Sequence, residues 1–361
     1  MAEFAASLFS TPQLAVAAAA ALLGILFGVF AESSQFCLLG GLREATQQGK
    51  PRRLASYGIA MLVALAGTQA LIAGGWINLG ASVYLASATA LPAVIAGGLL
   101  FGFGAALTRG CAGRLTVLAA TGNLRALLVI VVLGLVAYAT MRGIFAPVRL
   151  PLEAIAKPAA PYAELASGLA SWGRFAIAGL ALAGAIALLR RAGTAYGLAG
   201  IGIGLVVAGG WAASAILGDD GFDKLQPWSA AFVAPLGNGL QYLLTFTGSK
   251  INFGIAFAGG VLAGAFASAM ISGRARLQSF ETPQQTLRYL GGAVLMGFGG
   301  VLALGCTTGQ GLAGVATLAP ASFVAIASIV AGMVAGLAWD RRKQPAPESS
   351  MPAGALLAAG E

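Results

Sequence analysis

"LGCTTGQGLAG" (residues 304–314) stands between two long apolar runs. A membrane helix would be expected to continue there. Instead the stretch carries Cys306, Thr307, Thr308 and Gln310 among glycines at 305, 309, 311 and 314. Glycine weakens a helix, and hydroxyl and amide groups are costly in hydrocarbon. Non-helical backbone survives at membrane depth only where it faces protein or a polar cavity. The segment therefore reads as a re-entrant piece that opens a short helix, with Thr307 or Thr308 as its cap. A helix start of this kind turns free N–H groups and a positive dipole end towards an anion.

The rest of the chain sets the context. It has 361 residues, 58% hydrophobic and 9% charged, against about 25% charged in soluble domains. Apolar runs of about 20 residues recur, the mark of an all-α polytopic membrane protein lying in a lipid bilayer. The alternation of a membrane β-barrel is absent. Spans are expected at 13–31, 54–76, 91–108, 125–145, 172–190, 196–217, 251–271, 287–304 and 322–340, nine in all. Four further stretches, 35–48, 109–121, 228–247 and 306–319, are too short or too broken to cross. Glu3 precedes the first run without any Lys or Arg, so that run reads as a retained span rather than a cleaved signal.

The net charge of +9 reflects basic residues at the ends of apolar runs. Topology explains this placement, and nucleic acid is not implied. With a periplasmic N-terminus, 15 of the 21 Lys and Arg residues become cytoplasmic and 6 fall outside. Zero histidines exclude Ser-His-Asp chemistry and histidine metal sites. Cys37, Cys111 and Cys306 form no CxxC pair, which argues against a disulfide exchanger. No cofactor is implied.

An echo of the opening motif lies 195 residues upstream. "GFGAALTRGC" (102–111) and "GFGGVLALGC" (297–306) share six of ten positions, Gly110/Gly305 and Cys111/Cys306 among them. "LLGILFGVF" (22–30) pairs more weakly with "AGIGIGLVV" (199–207). The expected organisation is a first half at 1–150, a linking segment with a central helix at 151–195, and a second half at 196–340. A disordered cytoplasmic tail follows at 341–361. The odd span in the link inverts the second half, an architecture that places a transporter's site between its halves. Coincidence among small-residue helices is the alternative.

The three cysteines then fall on broken elements along one axis, one high and two low. A thiol in apolar surroundings stays neutral, and a neutral S–H is a weak donor. A row of weak donors suits a solute that must bind and leave. Soft sulfur suits a soft partner, an anion with exposed sulfur or selenium, or a soft metal.

"LGCTTGQGLAG", "TRGCAG" (108–113) and "FCLLGG" (36–41) resemble the YeeE/YedE sulfur-transport family of bacterial inner-membrane proteins, over roughly residues 20–340. The resemblance implies thiosulfate uptake, with a selenium-compound branch. It also implies an hourglass-shaped inverted repeat with Cys37, Cys111 and Cys306 along the path, and a small cytoplasmic sulfurtransferase as partner. The substrate-contacting set expected from the residues and the resemblance is Cys37, Cys111, Cys306, Gly110, Gly305, Thr307, Thr308 and Gln310.

Two other classes stand behind this one. A soft-metal permease would need the thiols to converge. A membrane thiol enzyme would need a base or a second paired cysteine. Glu32, the one acidic residue near a pore-lining segment, is a proton carrier or, more simply, a surface-facing or capping group. Trp76, Trp211, Trp228 and Trp339 read as an interface belt. Gly24/Gly28, Gly200/Gly204 and Gly260/Gly264 read as close helix packing. "GDDGFDK" (218–224) reads as a turn.

Overall fold

The computed structural model describes residues 12–49, 51–86, 88–155, 165, 168, 170–219, 224–279 and 282–343. Most of the 341–361 tail and part of the 218–224 turn therefore lie outside the described residues. Within them the protein is helical, and its only bridges are two isolated ones.

The helices are α1 (Pro12–Ser33), α2 (Leu38–Gln48), α3 (Arg52–Ala73), the single turn α4 (Val83–Ala86), α5 (Leu91–Thr108), α6 (Ala112–Ala120) and α7 (Leu124–Arg142). They continue with α8 (Ala146–Ala154), α9 (Ser171–Ala192), α10 (Thr194–Leu217), α11 (Val233–Leu244), α12 (Phe253–Ile271), α13 (Pro283–Leu302) and α14 (Pro320–Lys343). Between α13 and α14 lies a helix at 307–316 whose centre, Gly309–Gly314, is π-helical.

Among the described residues eight segments are long and apolar enough to cross a membrane. They match eight of the nine expected spans. The ninth, 287–304, is helix α13, and it falls short because its first turns carry Gln284, Gln285 and Arg288. Each of the four broken stretches contains a short helix, the form expected for 306–319. Asn123 and Asn252 start α7 and α12 by accepting from the N–H of Ala126 (2.9 Å) and Ile255 (3.0 Å), the standard capping geometry. Leu22, Leu135 and Leu180 point outward from mid-helix, as lipid-facing side chains do.

The long helices sort into two groups of four. In one, α1 packs on α12 and α10, and α10 packs on α3. In the other, α5 packs on α14 and α13, and α13 packs on α7. The peripheral α9 lies against α3. Short helices fill the seam between the groups. Helix α6 touches α1 and α12 on one side and α7 on the other. The 307–316 helix touches α3 and α10 on one side and α14 on the other.

Close approach is set by glycine. A Cβ at Gly28 would stand 2.7 Å from the nitrogen of Ala265, and one at Gly264 would stand 2.7 Å from the Cα of Ile25. Gly24 and Gly260 face the same crossing one turn away. On the α3–α10 pair, Gly200 lies over the Ser56 carbonyl and Gly204 over that of Ala60, each at 2.6–2.7 Å from the missing Cβ. All three glycine pairs are thus packing faces inside one chain, as read from the sequence.

Candidate functional site: three thiols at broken helices

One local device recurs at every cysteine. Two residues upstream, a non-glycine residue takes a left-handed conformation: Gln35 (φ 51°), Arg109 (φ 58°) and Leu304 (φ 55°). The N–H of each bonds back three residues, and the next N–H bonds back five: Phe36 to Ala31 (3.0 Å), Gly110 to Ala105 (3.1 Å), Gly305 to Gly300 (2.8 Å). This closes the preceding helix with a Schellman pattern. The cysteine then stands at the N-cap, and its carbonyl starts the next helix by accepting from the N–H four residues on, in Gly41 (2.9 Å), Leu115 (2.9 Å) and Gln310 (2.7 Å). A left-handed residue other than glycine costs about 1–2 kcal/mol. These side chains are used elsewhere: Gln35 accepts from Arg53 Nη2 at 2.7 Å, and Arg109 and Leu304 line cavities.

The thiols take part in the capping. Cys37 Sγ accepts from the Gly40 N–H (3.5 Å) and Cys306 Sγ from the Gly309 N–H (3.4 Å). Cys111 makes no such side-chain cap bond; its Sγ lies 4.0 Å from Cys37 Sγ. All three are buried and reduced. The cap at 306 corrects the expectation for Thr307 and Thr308. Leu304 ends α13 early enough that Cys306 reaches the N-cap first, and both threonines lie inside the helix.

Cys37, Cys111, Thr307 and Thr308 share one cavity of about 10 Å³, closed by Phe27, Phe36, Tyr57 and Arg114. That volume is about what one water needs. Cys306 does not line it. Its sulfur faces Gly309, where an added Cβ would sit 3.9 Å from Sγ and 3.2 Å from the Tyr84 hydroxyl. Gly110 and Gly305 make room for the side chain five residues on: their missing Cβ atoms would stand 3.3 Å from Leu115 Cγ and 3.1 Å from Gln310 Cγ. Gln310 braces the backbone, donating from Nε2 to the Ala303 carbonyl (2.6 Å).

Two of the supporting residues, Tyr57 and Gln69, were not singled out beforehand. The Tyr57 hydroxyl donates to the Thr307 carbonyl (2.8 Å) while its ring stacks on Phe36. Gln69 Nε2 donates to the Ala316 carbonyl (2.9 Å), and Arg174 holds the other end of that amide (3.0 Å). Trp211 is fully buried and donates to the Ala313 carbonyl (3.3 Å). It therefore leaves the expected interface belt, because its indole N–H serves the 307–316 helix. Polar tips inside apolar spans are the available sequence signal, since a buried hydroxyl or indole N–H needs a partner. Glu32 lines no thiol cavity. It is buried in an ion pair with Arg274 (2.8 Å) and accepts from Ser268 (2.7 Å), which replaces the surface-facing position expected for it.

Tyr57→Phe leaves the Thr307 carbonyl without its donor. It is expected to destabilise the protein by about 1–3 kcal/mol, read as faster thermal inactivation in detergent.

A wider vestibule of about 490 Å³ opens beyond the paired thiols. Arg43, Arg53, Arg109 and Arg114 line it together with Cys37, Glu44 and Asp340, Glu44 being paired with Arg53 at 3.2 Å and Asp340 with Arg288 at 2.7 Å. Arg114 and Cys37 line both this vestibule and the thiol cavity. Among the described residues no hydrogen bond or ion pair engages the Arg114 guanidinium.

The sequence matches the family model described as sulphur transport over residues 33–335. It is 27% identical over 333 residues to the thiosulfate transporter TsuA of Escherichia coli K12, covering 86% of this chain and 90% of that protein. It is 29% identical over 260 residues to the thiosulfate transporter TsuA of Spirochaeta thermophila, covering 66% of this chain and 74% of that protein. With thiols capping short helices and a match across most of its length, the chain belongs to the sulphur transport family.

Proposed function

We propose that the chain imports thiosulfate and that three uncharged thiols hand the anion through the bundle. The observation that carries this reading is the position of all three cysteines at helix starts inside the seam, with two sulfurs 4.0 Å apart. Because Cys306 uses a sulfur lone pair to accept a backbone N–H group, its S–H hydrogen is free to donate, while Cys37 and Cys111 share an S–H···S contact at 4.0 Å that an incoming anion can replace. The terminal sulfur of thiosulfate is a soft acceptor for such donors, and its oxygens suit the free N–H groups of helix starts. Hydrogen bonding suffices, and no covalent intermediate enters. The described state is closed, since the thiol cavity has room for about one water.

The packing supports two inverted halves, 1–150 and 196–340, joined by 151–195. Exchanging the halves maps the α1–α12 crossing onto α10–α3, and the α5–α14 crossing onto α13–α7. The α1–α10 and α5–α13 contacts map onto themselves. The glycine faces align Gly24 and Gly28 with Gly200 and Gly204, one residue off the register in which the two stretches were compared. The left-handed Arg109 and Leu304 keep the 195-residue offset.

By the positive-inside rule the arginine vestibule faces the cytoplasm and the N-terminus faces the periplasm of a bacterial inner membrane. Arg114 then draws the anion past the paired thiols. Arg114→Gln is expected to lower uptake by about tenfold or more, with Arg114→Lys retaining most of it, measured as initial rates in proteoliposomes.

Importing a dianion against 100 mV, inside negative, costs about 4.6 kcal/mol, about three decades of concentration. Consumption by a small cytoplasmic sulfurtransferase offsets this cost. Radiolabelled thiosulfate uptake by sulfur-starved cells, with and without the chain, tests the reading. Accumulation only with the chain is expected; equal uptake in both overturns it.

A further inference from the structure

We propose that the cavity on the opposite side of Cys306 from the vestibule is an oxyanion antechamber, in which Arg149 receives the anion and Tyr84 separates it from the thiol. The inference rests on the transport reading, and its two acting residues, Arg149 and Tyr84, lie outside all three cysteine motifs. The cavity measures about 170 Å³, well above the ~10–15 Å³ that one water requires. Its walls include Trp228, Ala231, Leu304 and Gly305, and among the described residues Arg149 is its only charged lining residue.

The state of Arg149 points to a missing partner. Its guanidinium makes a long ion pair with Glu153 Oε1 on the same helix and a long hydrogen bond to the Met141 carbonyl, both at 3.4 Å. Its Nε–H is shielded from solvent and meets no acceptor. A shielded donor without an acceptor is costly, and on arginine it forms part of a planar fork suited to oxyanions. A tetrahedral oxyanion in the cavity would supply that acceptor. One bound sulfonate or thiosulfate head would then face Gly305, the residue before Cys306.

Tyr84 supplies the separation. It sits on the single turn α4 and lines the cavity, while its hydroxyl stands beside Gly309 next to Cys306 Sγ. Its ring packs edge-on against the buried Trp211, with centroids 6.0 Å apart. Tyr84 is thus held by a helix of the bundle and carried by a short connection. An anion at Arg149 has its route to the sulfur through this ring and Ala231.

The test uses purified protein in detergent with Cys37→Ala and Cys111→Ala, leaving Cys306 as the sole thiol. Cys306 is labelled with two methanethiosulfonate reagents of similar size, one bearing a sulfonate and one a quaternary ammonium. With Arg149 intact, the anionic reagent is expected to react faster than the cationic one by about tenfold, and millimolar thiosulfate is expected to slow it. Arg149→Gln is expected to remove the preference and Arg149→Lys to keep it. Tyr84→Ala is expected to speed both reagents alike. A faster cationic reagent in the protein with Arg149 intact overturns the proposal, without needing any Arg149 variant to fold. An unchanged preference in Arg149→Gln overturns it equally. Because labelling requires no transport, these outcomes are independent of whether thiosulfate is the cargo, which uptake by the wild-type chain decides.

Discussion

Cys306→Ser is expected to lose thiosulfate uptake by at least about tenfold while keeping its fold, and Cys306→Ala to lose uptake and stability together. The two variants differ in what they leave behind. Alanine removes the acceptor of the Gly309 N–H in a fully buried position. An orphaned buried N–H costs about 1–3 kcal/mol, and the helix start it caps loosens. Serine restores an oxygen acceptor at the cap, a role for which it is well suited. It replaces a soft, weakly donating thiol with a hard hydroxyl. A tenfold loss is about 1.4 kcal/mol, close to the lower end of the range of about 1.5–3 kcal/mol for one hydrogen bond to a charged group. Wild-type uptake by the serine variant would take the sulfur out of the mechanism. Uptake lost in alanine but retained in serine would reduce Cys306 to a cap.

Gly264→Leu is expected to abolish the folded protein, whereas Gly259→Ala is tolerated or mildly stabilising. Both glycines lie on α12, five residues apart. A Cβ at Gly264 would meet the backbone of Ile25 on α1, including its carbonyl carbon at 2.8 Å. Backbone of a helix cannot rotate away as a side chain can, so the two helices must separate. The crossing also holds the aromatic cluster of Phe27, Phe232 and Phe257, with centroids 5.5–5.9 Å apart, against which Gly113 of α6 lies. Losing it costs more than the 1–3 kcal/mol of ordinary overpacking. At Gly259 an added Cβ meets nothing within 4 Å, and alanine gains about 1 kcal/mol of helix propensity. Monodispersity in detergent and thermal unfolding measure both. A well-folded Gly264→Leu protein would mean that α1 and α12 do not cross at these glycines.

Both results bear on how the site is held. The sulfurs belong to short helices that do not cross the membrane alone. Their positions are inherited from the long helices on either side of the seam, and the hydrogen bonds from Tyr57, Gln69 and Trp211 pin the 307–316 backbone to that frame. Strengthening the frame and positioning the thiols are therefore one task.

The sequence by itself determined the class of structure, because hydrocarbon imposes long apolar runs that are visible one residue at a time. It also determined where the helices break, since glycine and polar groups inside such runs have few alternatives. The repeated Gly-Cys at 110–111 and 305–306 marked two of the three sulfur positions in the same way. Tertiary structure alone decided which surfaces meet. Glycine pairs announced close packing, but nothing local says that Gly28 faces Ala265, 237 residues later. Nor does local sequence place Arg274 on Glu32 or turn Trp211 inward. The cap at 306 fell to cysteine for a related reason. Intrinsic preference favours threonine, but the cap is fixed by where the preceding helix ends, and that point is set by the left-handed turn at Leu304. A residue's own chemistry is readable in the chain; its partner is chosen by the fold.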